Sequence, residues 1–140
     1  MIQLRRITQV NDPDLSRLMD LYELSFPEEE RRDREQLFRM LELVPDMSFN
    51  AVEDNGELCG LTIYWDLGDF YYIEAMAVRR IGFYERNGFR VICKDYVQPS
   101  YRKDEDSCPL WIMGTDMPDD MQACIQNIKT NVYKETLKWL

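Results

Sequence analysis

The sequence contains no histidine, and this absence excludes much familiar chemistry. Without an imidazole the chain cannot form the Ser-His or Cys-His pairs that activate many nucleophiles. Its cysteines, Cys59, Cys93, Cys108 and Cys124, have no CxxC spacing, so we expect no metal site. Proton transfer must therefore depend on Glu, Asp, Tyr, Lys, Cys or water. Scattered cysteines of this kind are typical of reduced core residues, and we expect a cytoplasmic protein.

Long apolar segments and an excess of positive charge are also absent. No apolar run approaches the roughly 20 residues of a membrane-spanning helix, and no basic-then-apolar signal segment opens the chain. The net charge is −9, from 17 Lys and Arg against 26 Asp and Glu. This charge disfavours nucleic acid as a partner and leans toward a cationic substrate. We expect no membrane and no nucleic-acid partner; a homodimer stays open.

The composition is that of a folded domain. With 140 residues, 45% of them hydrophobic, the chain is long enough to bury a core, and we expect one domain over residues 1–140. Apolar periodicity, caps and turn residues predict the elements. In order, they are strand 2–7, helices 13–26 and 34–44, strands 47–53, 58–67, 70–78, 90–97 and 110–115, and a helix from Pro118.

Two local signals make the first half specific. Asp33 followed by Gln36 has the spacing of a capping box at a helix start. Asn55-Gly56 lies between two strand patterns and predicts a tight hairpin. Two helices followed by three antiparallel strands indicate an α+β fold.

The stretch after the third of these strands is the most informative about function. Ile81, Phe83 and Tyr84 predict a short helix, Asn87-Gly88 would end it, and residues 89–93 would form a strand. This Phe-Tyr-x-x-Asn-Gly-Phe pattern resembles the penultimate helix of the GNAT superfamily of N-acetyltransferases. The element order resembles that superfamily over nearly the whole chain. The resemblance implies a central mixed, mostly antiparallel sheet flanked by helices.

The resemblance also implies an activity. Its members move an acetyl group from acetyl-CoA to a primary amine, without a metal, by direct attack in a ternary complex. The acceptor here would be a small-molecule or peptide amine. The alternative is a non-catalytic GNAT-like domain that binds an acyl-CoA or a protein partner.

Two residues are candidates for the proton transfers. Tyr84 matches the tyrosine that in the family donates a proton to the departing thiolate; otherwise it is a core aromatic. Glu74 is a lone acid in an apolar strand, where partial desolvation would suit a general base, directly or through water. The other interpretation of Glu74 is an acid on the solvent face of an alternating strand.

Cofactor contacts follow from the same resemblance. The main chain of Met76, Ala77 and Val78 would pair with the pantetheine arm, and Phe83 would lie beside the cofactor. Arg86 would meet a cofactor phosphate or, alternatively, be solvated.

The charged connection 27–32 between the first two helices has two interpretations. It is either a solvated turn or, as in the family, a border of the acceptor site, with Glu28–Arg32 contacting substrate.

One unit of the family pattern is missing. A glycine-rich pyrophosphate turn, a long helix and a strand normally precede the tyrosine helix, but only residues 79–82 separate Val78 from Phe83. A parallel crossover needs a dozen or more residues. Either the protein lacks the unit, or the sequence omits a segment between about residues 78 and 82. We favour the omission, because the pattern is intact on both sides.

Overall fold

The computed structural model describes residues 1–78, 88, 90–101 and 108–134. The chain divides into two compact units, the first ending at Arg79 and the second beginning at Arg80, and each is described by itself. The single domain predicted over residues 1–140 therefore stays a prediction. Within the described residues, no helix is long and apolar enough to cross a membrane.

The first unit is a four-stranded antiparallel sheet with two helices. Its strands lie in the order β1-β2-β3-β4. Its elements are β1 (Ile2–Ile7), α1 (Leu15–Ser25), a 3-10 turn (Glu28–Glu30), α2 (Arg34–Leu43), β2 (Met47–Asp54), β3 (Glu57–Asp66) and β4 (Tyr71–Val78). The predicted elements of this half are all present, with strand ends displaced by one residue.

Helix α1 begins two residues later than predicted. The side chain of Asp12 accepts a hydrogen bond from the amide of Asp14 at 3.0 Å, which makes a turn before the helix. Arg5 binds both carboxylates, at 2.8 Å and 2.5 Å, and holds that turn against β1. Consequently Asp14, and not Asp12, precedes the first helical residue.

Helix α2 begins after Asp33 as predicted, but the prediction of a capping box is wrong, because its side-chain hydrogen bond is not formed. The Asp33 side chain accepts no cap hydrogen bond. Gln36 turns inward instead, because it shares the buried face of the helix with Leu37, Met40 and Leu41. Its amide is buried and neither of its polar atoms has a hydrogen-bond partner in the part of the chain that the structure describes.

The hairpin between β2 and β3 confirms the Asn-Gly signal. Asn55 and Gly56 both have positive φ, 51° and 83°, as a two-residue hairpin turn of the primed type requires. The register pairs Asp54 with Glu57 across the turn. Both central strands are largely buried, and Phe49, Ile63 and Trp65 are at most 1% exposed.

The second unit contains a two-stranded antiparallel sheet and a helix. Strand β5 (Arg90–Gln98) pairs with β6 (Cys108–Gly114). Helix α3 (Met121–Ile128) follows and continues into a π-helical turn (Lys129–Tyr133). As predicted, Ile125, Ile128 and Val132 are buried. Every described strand pair is antiparallel, and the α+β class is confirmed.

Candidate active site

Glu74 lies at an irregularity in β4. Ile63 pairs with Ala75 and Tyr64 pairs with Ile73, so Glu74 is an extra residue opposite β3. A bulge of this kind breaks the alternation of side chains and re-aims the residue at it. Glu74 thereby turns to the face of the sheet that carries Trp65, with which it forms a hydrogen bond.

The carboxylate of Glu74 is fully engaged. Arg32 Nη2 lies 2.5 Å from Oε1, Arg32 Nε lies 2.9 Å from Oε2, and Trp65 Nε1 donates to Oε1 at 3.1 Å. The side chains of Arg32 and Glu74 are 0% and 2% exposed. The planar guanidinium matches the two carboxylate oxygens, which is the geometry of the strongest protein ion pairs.

Arg32 is in turn held by three elements. Its backbone N–H donates to the hydroxyl of Tyr22, on α1, at 2.7 Å. Its Nη1 contacts Met40 Sδ, on α2, at 3.4 Å. Its guanidinium carbon lies 5.9 Å from the centroid of the Trp65 ring, within cation–π range. We call Tyr22, Arg32, Trp65 and Glu74 the buried polar cluster.

The cluster favours the neutral phenol of Tyr22. Burial raises the pKa of this hydroxyl, and the negative charge of Glu74 raises it further. The hydroxyl therefore stays protonated over the physiological range. It is an acceptor for the Arg32 amide and not a source of charge.

The arrangement contradicts one interpretation of Glu74 from the sequence, that of an acid on the solvent face of the strand. Its side chain is not on a solvent face, and its oxygens are occupied by a guanidinium and an indole. To accept a proton, the carboxylate would have to give up the ion pair in a buried setting, where an unpaired charge is costly. Its role as a base stays a prediction, and this geometry argues against direct proton abstraction.

The connection between α1 and α2 is split between solvent and core. Glu28 and Glu29 are exposed, while Arg31 is half-buried and donates to the backbone carbonyls of Glu23 and Phe26 at 3.0 Å and 2.7 Å. The last residue, Arg32, is buried in the cluster. The solvated-turn interpretation is therefore wrong for Arg32, because that side chain is needed to pair with Glu74.

The other predicted site residues are only partly described. Met76 is half-buried, Ala77 is 7% exposed, and the backbone of Val78 ends β4, the terminal strand of the sheet. Phe83, Tyr84 and Arg86 lie outside the described residues, as does the junction at residues 79–82. Their predicted roles, and the predicted omission, stay predictions.

Three members of the cluster were not predicted as partners of Glu74. Arg32 was expected only within the charged connection 27–32, and neither Trp65 nor Tyr22 was a candidate site residue. One signal was present: Glu is almost never fully buried unless paired, so an acid in an apolar strand implies a cation nearby. Nothing local identifies which of the 17 cations it is.

The described residues contain no group of three or more His, Cys, Asp or Glu placed to hold a metal ion. Cys59 Sγ lies 3.3 Å from the carbonyl oxygen of Val52, an ordinary strand contact. Cys93 and Cys124 are half-buried free thiols.

Comparison with known proteins identifies the fold. The sequence matches no protein-family model and no curated protein. Among solved structures, the chain is similar to a Bacteroides thetaiotaomicron protein provisionally described as a GNAT-family acetyltransferase. The TM-score is 0.82 at 24% identity, over 94% of this chain and 98% of that one. The chain therefore has the fold of the GNAT acetyltransferases.

Proposed function

We propose that the protein is an N-acetyltransferase that moves an acetyl group from acetyl-CoA to a primary amine. The observation that carries the proposal is the likeness in fold to a GNAT-family structure over nearly the whole of both chains. The Phe-Tyr-x-x-Asn-Gly-Phe pattern at residues 83–89 supports it independently. The net charge of −9 favours a cationic acceptor.

The reaction makes three demands on the chain. An alkyl amine, with a pKa near 10.4, must lose a proton, which at neutral pH costs about 4–5 kcal/mol. The thioester must be held in reach of the amine, and the departing thiolate must receive a proton. Acetyl-CoA supplies the activated acetyl group when bound.

The roles we assign follow the order of β4 and the residues after it. The main chain of Met76, Ala77 and Val78 would bind the pantetheine arm at the terminal strand of the sheet, with Phe83 and Arg86 as further contacts. Tyr84 would protonate the thiolate, because a phenol can donate to a thiolate of pKa near 8.5. Because the ion pair occupies Glu74, we assign removal of the amine proton to water, with Glu74 holding the strand beside it.

Turnover and binding test the proposal together. The purified protein should show a rise in melting temperature with acetyl-CoA and should release free thiol when acetyl-CoA and a panel of amines are supplied. The panel should include butylamine, spermidine and a lysine peptide. Tyr84→Phe should lower kcat by about 10²- to 10⁴-fold, the usual contribution of a general acid. The control Tyr71→Phe removes the hydroxyl of an exposed tyrosine in β4 and should leave kcat unchanged. Unaltered turnover in Tyr84→Phe would remove the proposed acid.

A second function is favoured if the protein truly lacks the pyrophosphate unit. The high coverage of both chains means that the similar solved structure has nearly the same length, so this likeness is not to a longer chain. A protein without the unit would be a non-catalytic GNAT-like domain that binds an acyl-CoA or a protein partner. Intact mass decides whether the unit exists: a value above the 16.8 kDa of this sequence would show an omitted segment. Coenzyme A binding without thiol release would support the second function.

A further inference from the structure

The buried ion pair joins two parts of the chain that are far apart in sequence. Arg32 ends the connection between the two helices, and Glu74 lies 42 residues later at the bulge of β4. Arg31, next to it, is bound to the carbonyls at the end of α1. Two neighbouring residues at the end of the connection thus bind α1 and β4, respectively.

We infer that Arg32 is a positioning residue. Through its ion pair with Glu74 it holds the connection between α1 and α2 against β4, the strand whose main chain is to bind the thioester cofactor. The inference rests on the proposed function. Glu74 is two residues before Met76, where the assigned pantetheine contacts begin. Loss of the pair would therefore release the connection, which the family resemblance makes a border of the acceptor site, from the strand that is to hold the thioester.

Stability alone does not account for such a pair. The desolvation of two buried charges often exceeds their attraction, and apolar replacement of both partners is frequently neutral or stabilising. A buried pair does fix geometry, because the guanidinium fork meets both carboxylate oxygens in one orientation. Here Trp65 donates a further hydrogen bond to the carboxylate, and the hydroxyl of Tyr22 holds the backbone of Arg32.

The double variant Arg32→Met with Glu74→Gln tests the inference. It removes both charges, keeps similar volumes, and leaves an amide oxygen for the Trp65 indole. The control is Arg5→Met with Glu53→Gln, which removes the ion pairs that join β1 to β2 and to the turn before α1, away from β4 in the strand order. Both variants are compared with the wild type by hydrogen exchange and by steady-state kinetics with acetyl-CoA and the best amine of the panel.

We expect faster amide exchange in residues 27–33 and 71–78 of the double variant, and not in the control. We also expect kcat/KM for the amine to fall about 10- to 100-fold, as a small misplacement of reacting groups can cause. The KM for acetyl-CoA should stay within about twofold, and the midpoints of the pH–rate profile should not move. Loss of one limb of that profile would instead identify Glu74 as the base and overturn the inference.

Two further results would overturn it: unchanged exchange in residues 71–78, or wild-type amine kinetics in a folded double variant. If the double variant does not fold, Arg32→Lys can be used, since it keeps the charge but loses the two-pronged guanidinium. It should likewise lower kcat/KM for the amine and leave the KM for acetyl-CoA nearly unchanged. Wild-type kinetics in Arg32→Lys would be contrary to the inference. Failure of the proposed function would show in the wild type itself, as no thiol release and no acetyl-CoA binding.

Discussion

Replacement of Tyr22 by Phe isolates one bond of the buried polar cluster. The Tyr22 hydroxyl accepts the backbone N–H of Arg32 at 2.7 Å, and each residue is 1% exposed. The substitution keeps the ring and deletes only the acceptor. Water cannot readily replace it at this burial, so the Arg32 amide would be left without a partner for this bond.

An unsatisfied buried donor costs about 1–3 kcal/mol. A chain of this length loses roughly 3 °C of melting temperature per kcal/mol, so Tyr22→Phe should lower the melting temperature by about 3–9 °C. The effect should also depend on pH. Burial, then the charge of Glu74, raises the pKa of Tyr22, so the folded state keeps a proton that the unfolded state loses above about pH 10. The wild type therefore loses stability as pH rises from that value, by at most about 1.4 kcal/mol per pH unit from this group.

Urea denaturation of the wild type, Tyr22→Phe and Tyr71→Phe, at pH 7 and at several values above 10, measures both effects. Tyr71 is 69% exposed, and its variant should stay within about 0.5 kcal/mol of the wild type at pH 7. The difference in the free energy of unfolding between the wild type and Tyr22→Phe should become smaller above pH 10. The reasoning would be refuted if Tyr22→Phe were as stable as Tyr71→Phe. It would also be refuted if the difference in the free energy of unfolding between the wild type and Tyr22→Phe increased with pH.

Three other predictions concern the first unit. Gln36→Met removes a buried amide with no described partner. It should raise the free energy of unfolding, measured in urea, by about 1–2 kcal/mol. A lower free energy of unfolding would contradict this prediction and would indicate that a bound water satisfies the amide. Gly56→Ala places a side chain at φ +83° and should cost about 1 kcal/mol by the same measurement; wild-type stability would contradict the strain argument. Burial alone would raise the pKa of Asp12, but hydrogen bonds from the Asp14 amide and Arg5 outweigh it and lower the pKa below 3.8. The stabilisation from Asp12 is thus present above about pH 4 and lost on acidification. Asp12→Asn should therefore make the free energy of unfolding depend less steeply on pH in the acid range. An unchanged dependence on pH would contradict this prediction.

Local signals were enough for most of the secondary structure. The hairpin at Asn55-Gly56 followed from two residues that tolerate positive φ, and the helix faces followed from apolar spacing. The errors at the helix starts have a common cause. Arg5 recruits Asp12 from another element, and the buried face recruits Gln36, and neither influence is visible within one turn of sequence.

The bulge shows why the chemistry of Glu74 was harder to predict than its strand. A period of two places residue 74 on the face opposite Ala75, and a single inserted residue reverses that assignment. Whether β4 contains the extra residue depends on its register with β3, which is a property of the pair. The sequence pattern therefore predicted the strand correctly, but it could not predict the face of the sheet on which the side chain of Glu74 lies.

The identity of the cation partner then limits what Glu74 can do. Arg32 offers a rigid fork that meets both carboxylate oxygens, whereas a lysine would contact them as a point charge and could move aside. Trp65 adds a donor to an oxygen already bound by the guanidinium. A carboxylate held by two rigid donor groups and almost without solvent has little freedom to rotate toward an amine. In the proposed acetyltransferase this restraint is the reason for assigning Glu74 a positional role and water the removal of the amine proton.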